Sequence, residues 1–250
     1  MIKTILISDT HGQLPKIEDG FDLLLIAGDV APNYGHRGVD CEYQRAWMSD
    51  EFIRWVMGLP FNDKHSKVVF IAGNHDWWLE SESEAYKYGY SSIWTDVIHP
   101  CFNRLVYLYD SEYVFEKDGE KLHIYGTPWC KQFFNWAFML NDEKLKLAYD
   151  NIPDGLDILL THDAPAILPY GIITQGRYSG TDAGNKVLAD AVKEKKPRYH
   201  FSGHIHSSCH EMMEIDGTCY ATVSILDENY QQTYKPLIVE INKKKEKNNE

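Results

Sequence analysis

The chain has 250 residues, 44% hydrophobic and 25% charged, with 17 Gly and 10 Pro, which excludes disordered, collagenous and disulfide-miniprotein classes. A formal net charge of −12 repels long polyanions and argues against duplex nucleic acid as a partner. The longest apolar runs, such as residues 23–27, are strand-sized, and residues 1–3 lead into a strand without a signal-peptide core, so no membrane span and a cytoplasmic location are expected.

Elements follow in chain order. A first buried strand is expected over residues 4–8 and ends in Ser8-Asp9-Thr10-His11-Gly12. A second, residues 23–27, ends in Gly28-Asp29-Val30, and a helical pattern covers about residues 42–57. A third strand, residues 68–72, ends in Gly73-Asn74-His75-Asp76. Asp118-Gly119 lies between β-rich flanks and reads as a hairpin turn. A helix is expected over residues 135–149, and a strand over 158–161 leads into His162-Asp163. A helix over residues 182–193 precedes Arg198-Tyr199-His200 and Phe201-Ser202-Gly203-His204-Ile205-His206. Asp216-Gly217 marks a second hairpin, which places Glu214 rather than Cys209 opposite Cys219. The five cysteines contain no C-x-x-C pair and read as free thiols of a reducing compartment. Strands alternating with helices, plus two hairpins, give a mixed-sheet α/β domain over residues 1–242, with a polar tail at 243–250.

Every polar motif follows a strand, and open α/β sheets place their sites at strand C-termini, so the five segments can converge. Asp9 and His11 are two apart, which in extended backbone puts both on one face; His204 and His206 repeat that spacing. With Asp29, Asn74 and His162 the inventory is three oxygen and four nitrogen donors, too many for one tetrahedral ion. Two divalent ions sharing a carboxylate would use all seven, the arrangement for in-line displacement at phosphorus. Mixed N/O ligation suits Mn, Fe or Zn.

In that order, Asp-x-His, Gly-Asp, Gly-Asn-His-Asp, a lone His and Gly-His-x-His resemble the calcineurin-like metallophosphoesterases, over most of the chain from Asp9 to His206. The resemblance implies a four-layer αββα sandwich of two mixed sheets flanked by helices, with a dinuclear site. It further implies that Asp9, His11 and His206 hold one metal, that Asn74, His162 and His204 hold the other, and that Asp29 bridges them. His75 would face the substrate, oriented by Asp76. Gly126-Thr127-Pro128-Trp129 with Phe134-Asn135-Trp136-Ala137-Phe138 looks like the metallophosphoesterase-domain-containing branch, whose members include weak cyclic-nucleotide phosphodiesterases. Thr161-His162-Asp163-Ala164-Pro165 departs from the His-Gly-Pro-Pro form expected there.

The expected reaction is hydrolysis of a small-molecule phosphoester by a hydroxide bridging two dications. His75 would act as acid or hydrogen-bond donor, with Asp76 favouring its protonated form. Near the motifs the cations are few: Arg37, Lys131 and Arg177. Trp129, with Trp77 and Trp78, could pack against an organic substituent, and the aromatic segment could equally be core. A phosphodiester, which carries one charge less than a monoester, is therefore the favoured class, cyclic nucleotides included. The alternatives are a phosphomonoesterase, a weakly active metal- and nucleotide-binding regulatory module, a scaffold with an abandoned site, and a nuclease, which the net charge of −12 disfavours.

Overall fold

In the computed structural model, residues 1–35, 37–101 and 103–242 are described; the polar tail expected at 243–250 lies outside them. The strand Leu23–Ala27 (β2) shows why two cores form. All five of its residues are buried, and the pleat sends alternate side chains to opposite faces. Leu24 and Ile26 enter one apolar cluster, while Leu23, Leu25 and Ala27 enter another.

β2 lies between Ile2–Ile7 (β1) and Lys67–Ile71 (β3), and the parallel sheet continues to Leu105–Tyr107 (β4). Leu237–Ile241 (β13) closes the other edge antiparallel to β1. A second sheet holds Ser111–Lys117 (β5), Glu120–Thr127 (β6), Ile158–Thr161 (β9), Tyr199–Ser202 (β10), Met213–Ile215 (β11) and Thr218–Thr222 (β12), in the order β11-β12-β10-β9-β6-β5. Its four inner strands are parallel and its two edge pairs antiparallel. The sheets meet through Leu6, Leu25, Val69, Ile124, Leu160 and Phe201. Arg37–Trp47 (α1), Ile53–Met57 (α2) and Trp77–Lys87 (α3) cover the outer face of the first sheet, where Trp47, Val56 and Trp77 join Phe70. Asp142–Asp150 (α4) and Lys186–Lys195 (α5) cover the second through Leu145, Tyr149, Leu188 and Val192. The result is the expected four-layer αββα sandwich.

Both D-G hairpins are present: Asp118 and Gly119, like Asp216 and Gly217, have positive φ, and β5–β6 and β11–β12 pair antiparallel. Glu214 stands opposite Cys219, and all five cysteines are free. Three helix boundaries differ from expectation. The first helix begins at Arg37 and continues through a π-helical stretch, Met48–Phe52, into α2. The fourth begins only at Asp142, because Asn141 accepts the Lys144 N–H as its cap. The preceding Ala137 N–H is bonded to Asn74 O at 2.9 Å, while Cys130–Lys131 (β7) pairs with Met139–Leu140 (β8). The last helix begins at Lys186 behind the Asn185 cap, not at residue 182.

Candidate metal centre

The strand ends deliver their motifs through tight turns, not extended backbone. Asp9, His11, Asp29 and His204 have φ of 52°, 43°, 50° and 68°, the left-handed region that costs non-glycine residues energy. The expectation that Asp9/His11 and His204/His206 share strand faces is thus corrected: the turns fold these side chains inward after the strands have ended. Loop bonds hold the turns in place, with Asp9 N donating to Gly28 O, His11 N to Asp29 O and Gly12 N to Val30 O at 2.9–3.0 Å. Neighbouring glycines make room. A Cβ on Gly203 would stand 2.0 Å from Ser8 Oγ and 2.4 Å from Asp9 Oδ2; one on Gly73 would stand 2.3 Å from Asp29 Oδ1.

These turns bring all seven candidate ligands into one buried cluster. Donor atoms of Asp9, His11 and His206 lie within 4.8 Å of one another, as do those of Asp9, Asp29 and His162. Asp29 Oδ2 is 3.6 Å from His11 Nε2 and 3.3 Å from His162 Nε2, so it stands between the two groups. His162 Nε2 is also 3.0 Å from Asn74 Oδ1. Backbone carbonyls fix two of the rings: His162 Nδ1 donates to Ala27 O at 2.8 Å and His206 Nδ1 to Asp227 O at 2.9 Å. That leaves Nε2 of each directed at the carboxylates, the orientation second-shell carbonyls impose on ligating histidines. The His204 ring packs 5.3 Å from that of His162, and the His204 backbone N–H donates to the Asp9 carboxylate at 3.1 Å.

The electrostatics ask for positive charge. Asp9 and Asp29 are fully buried, yet Asp9 is held well below the usual carboxylate range by His206, and Asp29 by His162 and His75, against the upward push of burial. Burial pushes His162 down, but Asp29 and Asp9 outweigh it and raise it to about 10; Asp9 raises His206 to about 9 in the same way. Burial lowers His11 to about 4, and among the described residues neither of its ring nitrogens has a hydrogen-bond partner. Two buried carboxylates, an orphaned imidazole and rings anchored through Nδ1 fit divalent ions well.

The neighbours of this cluster differ from expectation in several places. Asp76 does not orient His75. Its carboxylate accepts N–H bonds from Val30, Ala31 and Gly73 at 2.8–3.2 Å, pinning two motif loops together, and burial then Asp29 raise it to about 7. His75 is oriented by Asn33, whose Nδ2 lies 3.0 Å from His75 Nδ1. Burial lowers His75, which opposes the protonated form expected from the sequence. Gln44 fixes the His75 backbone, donating to His75 O at 2.8 Å. Among the candidate substrate contacts, Arg37 pairs with Glu80 at 2.6 Å and lies over the Trp77 ring. Lys131 Nζ is bonded to Gly184 O, Arg177 stacks on Tyr178, and Trp129 Nε1 donates to Asp110 while its ring packs on Tyr109 and Phe138. Trp129 therefore follows its core reading. Trp136 is the aromatic beside the site, 4.5 Å from the His75 ring, and with Arg37, Trp77, Phe134, Asn135 and Gly35 it lines a cavity of about 230 Å³. Tyr230 packs 4.9 Å from His11 and 5.3 Å from His206. Phe133 packs 5.5 Å from the His204 ring, and Cys130 Sγ lies within 4.8 Å of ring nitrogens of His162 and His204. Asn33 follows Gly28-Asp29-Val30 by only a few residues, whereas nothing in the local sequence of Trp136 or Tyr230 signals proximity to the motifs.

The model of the family described as calcineurin-like phosphoesterase matches residues 2–208, which span every motif of the cluster. The chain belongs to this family. Phosphoester hydrolysis that depends on metal ions is the chemistry the family supports. Human metallophosphoesterase domain-containing protein 1 is 28% identical over 251 residues, covering 95% of this chain and 70% of that protein. A UPF0046 protein of Caenorhabditis elegans is 27% identical, covering 96% of this chain and 81% of its own length. Among solved structures, the phosphopantetheinyl hydrolase of Mycobacterium tuberculosis superposes with a TM-score of 0.53 at 15% identity, covering 91% of this chain and 90% of that one; it shares the fold. Among the described residues no helix is long and apolar enough to cross a membrane.

Proposed function

We propose that the protein hydrolyses phosphodiesters carrying an organic, preferably aromatic, substituent, with Asp9, His11 and His206 holding one divalent ion, Asn74, His162 and His204 a second, and Asp29 shared between them. The observation that carries this reading is the position of Asp29 Oδ2 between His11 Nε2 and His162 Nε2, at 3.6 and 3.3 Å. Bound divalent ions supply charge neutralisation at the phosphate and acidify water. The chain's own residues supply orientation and a proton. Asn33 Oδ1 accepts from Gly35 N at 3.1 Å, which turns its amide nitrogen toward His75 Nδ1. His75 then carries its proton on Nε2, and this N–H can donate to a phosphate oxygen or to the leaving alkoxide.

Two features favour a diester. The dianion of a monoester is best held by uncommitted cationic side chains, yet Arg37, Lys131 and Arg177 are engaged with Glu80, Gly184 O and Tyr178. The cavity beside His75 is lined by Trp136 and the exposed Phe134, whose rings offer apolar surface for a substituent such as a nucleobase. The Mn²⁺-loaded protein should therefore show a higher kcat/KM for bis-(p-nitrophenyl) phosphate than for p-nitrophenyl phosphate, and hydrolyse cyclic nucleotides. A clear preference for the monoester overturns the diester reading and makes the protein a phosphomonoesterase.

A further inference from the structure

Cys130 is separated from the motifs in sequence, yet the sheet register carries it to them. β6 pairs parallel with β9, with Thr127 beside Thr161, so the residues that leave β6 run alongside His162. The segment is then clamped: Cys130 N donates to Phe138 O at 2.9 Å, and Lys131 N donates to the carboxylate of Asp163 at 2.8 Å. The thiol is wholly buried, and among the described residues its hydrogen-bond contact is a long 3.7 Å approach to Pro128 O. Its sulfur, an His162 nitrogen and an His204 nitrogen all lie within 4.8 Å of one another. The first position, by contrast, offers one oxygen and two nitrogens from Asp9, His11 and His206.

We infer that Cys130 is a sulfur donor at the second metal position, making that position selective for thiophilic ions such as Zn²⁺ or Co²⁺ over Mn²⁺ and Mg²⁺. The inference rests on the two-ion reading above. Soft thiolate favours zinc, iron and cobalt, whereas carboxylate and amide oxygens suit Mn²⁺ and Mg²⁺, so one sulfur beside two imidazoles changes what the site retains. On binding, the S–H bond breaks, a metal–sulfur bond forms, and the thiol proton passes to solvent. The competing role is a small buried hydrophobe under the Trp129–Phe138 segment, which would leave ion selectivity untouched.

The test loads the full chain with Co²⁺ and records metal content together with the near-ultraviolet absorption. Two cobalt ions per chain with a sulfur-to-cobalt charge-transfer band are expected. Cys130→Ser should abolish the band and weaken Zn²⁺ binding about tenfold or more while changing Mn²⁺ binding by less than about threefold. The control Cys209→Ser should keep the band. Two bound ions without the band, or a band that survives in Cys130→Ser, overturns the sulfur ligand and leaves the two-ion reading standing. A stoichiometry below two overturns both. Should Cys130→Ser fail to fold, X-ray absorption of the zinc-loaded unmodified chain decides: a sulfur scatterer at about 2.3 Å supports the assignment, and a purely N/O shell removes it.

Discussion

Asn33 lies against His75 Nδ1 with its amide held by Gly35 N, and we propose that this contact sets where His75 keeps its proton. His75 is not among the seven proposed ligands, so on that proposal His75→Ala should retain its metals while kcat falls by about 10²-fold or more. Asn33→Ala should lower kcat by about tenfold with metal content unchanged, since the ring stays but its tautomer is released. A His75→Ala variant that turns over at the parental rate would remove the acid or donor role. Asp29 lies between both donor groups, whereas His11 belongs to one. Asp29→Ala should therefore lose both ions and His11→Ala mainly one, read by metal analysis after gel filtration; two ions per chain in Asp29→Ala would contradict the sharing.

At the scale of elements, Asp22 ties four segments together. Its carboxylate accepts from Lys3 N in β1, from Asn62 Nδ2 and from Lys117 Nζ at the β5–β6 turn, while the residue itself leads into β2. Burial pushes Asp22 up, but the bonds from Lys117 and Asn62 outweigh it and leave the carboxyl below its usual value. A depressed carboxyl contributes stability that is present above the unfolded value near about 4 and is lost as pH falls through the folded one. Asp22→Asn should thus cost about 2 kcal/mol at pH 7 and little at the acid end, where the parent has lost the same contribution. Thermal midpoints of the two chains measured across that range should converge as the pH drops; a constant gap would assign the effect to packing.

For the whole molecule, the inter-sheet core joins strands from both ends of the chain, with Ile2 and Ile241 in one cluster with Leu160 and Phe201. We propose that residues 1–242 fold as one unit, because neither sheet can bury its inner face without the other. Far-ultraviolet circular dichroism and tryptophan fluorescence should report a single coincident transition, shifted upward by added Zn²⁺ or Mn²⁺ through mass action. Two separated transitions would show that the sheets are independent.

The sequence by itself determined the strands that end in polar motifs, both hairpin turns and which residues follow each strand. Each of these rests on local physics: apolar runs that must be buried, and D-G pairs that accept positive φ; that motifs from two different sheets meet is a matter of how the sheets pack. Tertiary structure decided the rest. Asp76 anchors loops and Asn33 orients His75, because loop 28–31 passes close enough to take up the Asp76 carboxylate. Trp129 turned into the core and Trp136 toward His75, although both sit in one aromatic segment, because Asn74 O captures Ala137 N and turns the chain at Phe138, whose φ is 52°. Cys130 reached His162 through sheet register and the loop bonds of its own segment to Phe138 O and Asp163. Spacing along a chain can reveal which residues follow a strand, but contacts between segments a hundred residues apart depend on how sheets pair and loops pack, and no local pattern encodes that.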